Sequence, residues 1–292
     1  MVTYKNAGFE LRFLGTMNGG SDSHTNAYFY PEKDTLAFVD LSLLNFREAS
    51  YLITPNLKRV ILFLTHLHDD HASGVLKLAF YVKKHLPGVL LEVVTGQYIV
   101  REAFQVFYAT GGKPVVANGT LDEVLRIYGQ MPGGEIITRV SPEAELFFGQ
   151  EVVPLEQQFE VPNWLLKTVP TTHSLRLSAV GFVFSLNGKA VIYSGDTNTT
   201  APFYDQVEIY TSGDDKHEPL PTELYLDAEC GDAPTHLSFE KVRTGLMCLM
   251  KRAPTLKVTL MHYDTYGITH DVSKFNEELG EKRLFVAEPK KV

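Results

Sequence analysis

The hexapeptide His66-Leu67-His68-Asp69-Asp70-His71 begins where the apolar run Arg59-Val60-Ile61-Leu62-Phe63-Leu64 ends, and no other feature constrains the fold as tightly. The run has the length and near-continuous hydrophobicity of a strand buried on both faces. His66 and His68, two apart at the strand end, can point both imidazoles the same way, while Asp70 and His71 in the following turn can reach a second position. One short loop can therefore serve two adjacent metal ions. After it, Val75, Leu76, Leu78, Ala79, Phe80 and Val82 recur at helical spacing, and Lys83, Lys84 and Pro87-Gly88 close the helix.

Three further candidates lie where strands are predicted to deliver them to a common edge. His173 sits in Thr171-Thr172-His173-Ser174 just before a predicted strand, Asp196 in Ser194-Gly195-Asp196-Thr197 at a strand end, and His262 in Leu260-Met261-His262-Tyr263 at another. Imidazoles and carboxylates without a thiolate suit two divalent cations, Zn first with Mn or Fe as alternatives, over Ca. A water between two such ions has its pKa lowered from about 15.7 toward about 7, so hydrolysis is the simplest use of the set. The bland alternative is a single structural zinc or a loop of solvated polar residues.

Around these motifs, Phe9–Leu14, Asn26–Tyr30 and Thr35–Leu41 read as strands. Val180–Leu186, a turn at Asn187-Gly188 and Ala190–Tyr193 read as a hairpin. Glu223–Leu226 and Val258–Met261 are predicted strands with a helix over Phe239–Lys251 between them. The segment 111–164, broken by Gly and Pro, reads as an insertion near the site. Strands and helices alternate through both halves of the 292 residues, which predicts one domain of layered α/β architecture.

Charge bears on partners. With 27 Lys and Arg against 35 Asp and Glu, the net charge of -8 argues against a stable nucleic-acid complex. Bound dications would still make a pocket locally positive, so a small anionic substrate is compatible. Only Cys230 and Cys248 are present, and no apolar leader or membrane span is visible, so a reduced, cytoplasmic protein is expected with both cysteines as packing residues.

Taken together, these residues resemble the metallo-β-lactamase superfamily, which implies a four-layer αββα sandwich carrying metals at the strand ends. The resemblance places His66, His68 and His173 on a first metal, Asp70, His71 and His262 on a second, and Asp196 between them, leaving Asp69 either behind the ligands or at the surface. Four matches point to the ribonuclease Z and cyclic-nucleotide phosphodiesterase branch. They are Phe13-Leu14-Gly15-Thr16 followed by Asn26, Leu64-Thr65-His66-Leu67-His68, Tyr193-Ser194-Gly195-Asp196-Thr197, and Thr235-His236-Leu237-Ser238 ahead of Leu260-Met261-His262.

In that branch a histidine at the place of His236 contacts the scissile phosphate, and Asp227 matches the acid that positions it. Asp70, His236 and Asp227 are thus the expected catalytic residues. The 23-position spacing from His173 to Asp196 leaves no room for the tRNA-gripping arm of ribonuclease Z, which favours a small phosphodiester such as a cyclic nucleotide. A ribonuclease Z-like endonuclease, a lactone or thioester hydrolase, and a binding protein without catalysis are the alternatives. The resemblance also implies a possible homodimer. Tyr108, Phe147, Phe148, Phe159 and Trp164 could stack on a base or belong to local core, and His24 could line the pocket. His85 and His217 read as structural or solvated, and His270 is undecided.

Overall fold

The computed structural model describes residues 10–17, 24–96, 99, 102–103, 106–107, 125–130, 136–139, 162–174, 177–213, 218–228, 236–262 and 268–289. Their strands form two sheets. The first holds β1 (Arg12–Gly15), β2 (Asn26–Glu32), β3 (Thr35–Val39), β4 (Arg59–Phe63), β5 (Leu91–Gly96), β6 (Leu125–Gln130) and β7 (Ile136–Arg139), in chain order. The second holds β8 (Leu165–Ser174), β9 (Leu177–Leu186), β10 (Lys189–Tyr193), β11 (Thr222–Asp227), β12 (Lys257–Met261) and β13 (Leu284–Val286), again in chain order.

Each sheet has a parallel part, β3 to β6 in one and β10 to β13 in the other. Parallel neighbours need crossovers, and helices supply most of them. The crossovers are α1 (Phe46–Leu52) before β4, then α2 (Asp69–Ala72) and α3 (Val75–His85) before β5. In the second sheet they are α4 (Ala201–Ser212), α5 (Phe239–Arg252) and α6 (Ile268–Leu279).

Side-chain alternation sorts the layers. On β10, Val191 and Tyr193 join the core between the sheets, whereas Ala190 and Ile192 join a second core under α4, α5 and α6. The inter-sheet core is aromatic: the Phe63 ring lies 5.2 Å from Phe182 and 4.9 Å from Phe184 on β9. On the other side α3 buries Val75, Leu78, Ala79 and Val82, the i, i+3, i+4, i+7 face. The order is helix, sheet, sheet, helix, the expected αββα sandwich. The expected continuous strand also holds, since Val60 to Leu64 are wholly buried.

Several expectations need correcting. β1 begins at Arg12, not Phe9, which lies outside the described residues. Within 111–164, β6 pairs with β5 and β7 with β6, extending the first sheet where irregular chain was expected. His173 stands ahead of β9 as expected, but it is itself inside a strand, β8, that was not foreseen. β8 is an edge strand carrying exposed Pro170, and edges tolerate a residue that cannot donate to the ladder. Cys248 is exposed on α5, so it is not the buried packing residue expected, and Cys230 is outside the described residues. The Asn187-Gly188 turn is as expected, with φ of 54° and 70°, the two positive values a tight hairpin demands. No helix among the described residues is long and apolar enough to cross a membrane.

Candidate metal centre

The candidate side chains leave the C-terminal ends of strands at one edge, the usual place for ligands in sheets with parallel strands. His66 and His68 follow β4, and Asp70 and His71 sit in α2. His173 is next to last in β8, Asp196 follows β10, Asp227 ends β11 and His262 follows β12. Both sheets therefore contribute.

Three overlapping groups of donor atoms result; two of them hold the seven expected ligands, and the third joins Asp227 and His236 to Asp196 and His262. His68 Nδ1 lies 3.0 Å from His66 Nε2 and 3.1 Å from His173 Nε2, with Asp196 Oδ2 at 3.6 and 3.8 Å from those two nitrogens. Asp196 Oδ2 is also 3.2 Å from His71 Nε2 and 3.4 Å from His262 Nε2. Asp70 Oδ2 stands 3.2 and 3.5 Å from the same pair. Asp196 thus belongs to both groups, and each group could hold a metal ion. Two nitrogens bound to one tetrahedral zinc ion at about 2.0–2.1 Å lie roughly 3.3 Å apart, so the spacings fit. The burial fits as well. His71 Nε2 and His262 Nε2 are enclosed and make no hydrogen bond, an arrangement that needs a cation or protons to satisfy it.

The charges of the metal-free site reflect this. Burial, reinforced by His71, holds His66 well below its ordinary value. Burial pulls on His71 in the same direction, but Asp196 and Asp40 outweigh it and hold that imidazole well above normal. His262 is pushed up to about 10, against burial, by Asp196, Asp227 and Asp70. Asp196 lies well below the carboxylate range although burial opposes it, because His262, His71 and His66 surround it. Protons here occupy positions that cations would take, so metal uptake would release them.

Support comes from residues behind the ligands. Asp40, directly after β3, accepts from His71 Nδ1 at 2.8 Å, from Thr65 N at 2.8 Å and from Thr65 Oγ1 at 2.7 Å. Sequence reasoning missed it; the available signal was an acid closing the apolar run Leu36 to Val39. Asn26 Nδ2 donates to the Asp70 carbonyl at 3.0 Å, while its Oδ1 accepts from Ser42 N and Asn45 Nδ2. Leu41 N donates to the His71 carbonyl at 2.7 Å, which fastens the metal loop to the loop after β3.

His236 stands at the rim. Its Nδ1 is 2.9 Å from Asp227 Oδ2, and its ring stacks on His262 at 4.5 Å and leans on His173 at 4.8 Å. Burial lowers its affinity for a proton, yet the hydrogen bond to Asp227 leaves it above the ordinary histidine value.

Other expectations fall elsewhere. Trp164 is buried between Phe29 and Phe63, so it is core and not a stacking platform. His24 is buried, and its carbonyl accepts from Asn45, but its ring is in neither ligand group. His85 stacks on Tyr81 at 4.1 Å, and His270 and Asp69 are exposed. Tyr108, Phe147, Phe148, Phe159 and His217 lie outside the described residues.

A family model described as the metallo-beta-lactamase superfamily matches residues 51–218, more than half of the chain. The chain belongs to the metallo-beta-lactamase superfamily. Among solved structures, unliganded yeast PDE1 is similar with a TM-score of 0.64 at 12% identity, over 97% of this chain and 98% of that one. The metallo-beta-lactamase fold protein YhfI from Bacillus subtilis gives 0.60 at 14%, over 96% and 95%. The short form of human tRNase Z gives 0.51 at 14%, over 87% and 92%. At these identities the likeness is one of fold. No curated protein sequence matches. Superfamily membership together with the His and Asp groups supports a metal-dependent hydrolase.

Proposed function

We propose that this metallo-beta-lactamase-fold chain is a phosphodiesterase that holds two divalent cations, Zn first, and hydrolyses a small phosphodiester such as a cyclic nucleotide. The observation that carries the reading is the His236–Asp227 pair beside the two ligand groups. His66, His68 and His173 would hold one cation, Asp70, His71 and His262 the other, with Asp196 shared. Such cations stabilise charge developing on the phosphate and make hydroxide available at neutral pH.

The chain's own residues supply the rest. Asp227 occupies His236 Nδ1, which leaves Nε2 to face a substrate. A proton held there can pass to the departing alkoxide, a step that contributes typically 10²–10⁴-fold. A lactone or thioester hydrolase would use the same cations but would not need this pair, and the net charge of -8 argues against a grip on RNA.

The test is turnover of bis-p-nitrophenyl phosphate and a panel of cyclic nucleotides by the zinc-reconstituted protein, with His236→Ala for comparison. Diester turnover lost in the variant supports the reading. Zinc uptake without any diester turnover would overturn it in favour of lactones or thioesters.

A further inference from the structure

We propose that Ser194 is a positioning residue for His236: its hydroxyl joins the loop that carries Asp196 to Asp227, and through Asp227 it fixes where His236 stands. The inference rests on the phosphodiesterase reading above and extends it to a residue that belongs to no ligand group.

The backbone shows why a side chain is needed here. β10 and β11 run parallel, and Ser194 N donates to the Tyr225 carbonyl at 2.9 Å, the rung after the Tyr193–Tyr225 pair. In a regular parallel ladder the next rung would run from Asp227 N to the Ser194 carbonyl. The chain instead turns at Gly195, φ +62°, on its way to Asp196, and the Ser194 carbonyl stands beside β9, 2.9 Å from where a Cβ on Gly181 would lie. Asp227 N would then be left without a partner in the interior, which native structures rarely allow. Ser194 Oγ accepts from it at 2.9 Å.

The hydroxyl has one proton, which goes to the Gly195 carbonyl at 2.6 Å. The same oxygen therefore accepts from the peptide of Asp227 and donates to the peptide that leads into Asp196. Thr197 N closes the clamp on the side chain, donating at 2.8 Å to the Oδ2 of Asp227 that also holds His236 Nδ1 at 2.9 Å. Ser194, Thr197 and Asp227 are all 0% exposed, so no water competes for these bonds. Asp227 is thus held at its backbone and at its carboxylate by the loop that carries the shared ligand Asp196. That loop registers the proton donor to the cation groups, and a misplacement of about 1 Å in such a register can cost about 10²-fold in rate.

The test is a double-mutant cycle on the zinc-reconstituted protein, using whichever diester of the panel above His236→Ala impairs most. Ser194→Ala should lower kcat about tenfold with KM and zinc affinity unchanged, and in the His236→Ala background it should have no further effect. Ser194→Cys, which keeps the volume but is a weak acceptor, carries the same comparison if Ser194→Ala does not fold. An unchanged kcat, weakened zinc binding, or an equal loss with and without His236 would overturn the proposal. A His236→Ala protein that is impaired on no diester would instead overturn the acid role of His236 on which the proposal rests.

Discussion

Asp227 holds His236 by Nδ1 at 2.9 Å through the same oxygen that accepts the Thr197 backbone N–H at 2.8 Å. Its second oxygen lies 3.5 Å from His262 Nδ1. The carboxylate is therefore placed to orient the rim histidine and to lie behind a candidate metal ligand. Asp227→Asn should lower kcat on a phosphodiester by about 10²-fold or more and move the alkaline limb of its pH profile to lower pH, because the carboxylate that raises His236 is gone. Unaltered kcat in a well-folded variant would show that the pair has no part in the reaction.

Gly195 allows the two sheets to meet behind the site. Its φ is +62°, and an added Cβ would lie 2.9 Å from Thr65 Cβ and Cγ2 and 3.0 Å from the Val180 carbonyl. Gly188 is the natural comparison, with φ +70° and nothing within 4 Å. Gly188→Ala should cost only the left-handed backbone penalty of about 1–2 kcal/mol. Gly195→Ala should cost clearly more. Urea unfolding of both variants measures the difference, and equal losses would mean the contact with Thr65 is easily relieved.

Trp164→Ala separates core from substrate contact. A buried aromatic replaced by alanine loses about 3–5 kcal/mol, and the ring here packs on Phe29, Phe63 and Phe184. Stability should fall by that order while KM for any substrate holds. A raised KM with native stability would return Trp164 to the binding surface.

The imidazoles dictate how the metal-free protein responds to base. His71, His236 and His262 have folded values raised above 6.5, so the stability they contribute is fully present below 6.5 and is lost as pH rises through the raised values, about 10 for His262. His66 and His68 are shifted downward, and their contributions no longer change above 6.5. Asp70 and Asp196, lowered below 3.8, are likewise constant there. Stability of the chelator-treated protein should therefore fall from pH 7 to about 10, and zinc should remove the part of that slope that His71 and His262 contribute, because cations replace their protons, leaving the smaller part due to His236. Calorimetry across this range decides it; a flat profile without metal would contradict the charge assignment.

How much was legible depended on how local each signal is. β4 reads directly because burial on both faces writes an unbroken apolar run, and the ligands after it are neighbours in sequence. β8 does not, since an edge strand with Pro170 and paired threonines has neither alternation nor continuity. Asp40 looks like any acid after a strand; its meaning lies in Thr65 and His71, 25 and 31 residues away. His236 has no local signature at all, and only the likeness to a known family drew it out.

The ligands come from the two ends of the chain in blocks. His66, His68, Asp70 and His71 belong to the stretch of chain that builds the first sheet, and His173, Asp196 and His262 to the stretch that builds the second. Filled by cations, the site would act as a reversible staple between an amino-terminal and a carboxy-terminal half, much as a disulfide joins distant segments. Chelation would then resemble reduction of that staple, and a chain cut between β7 and β8 would reassemble according to how much metal is at hand.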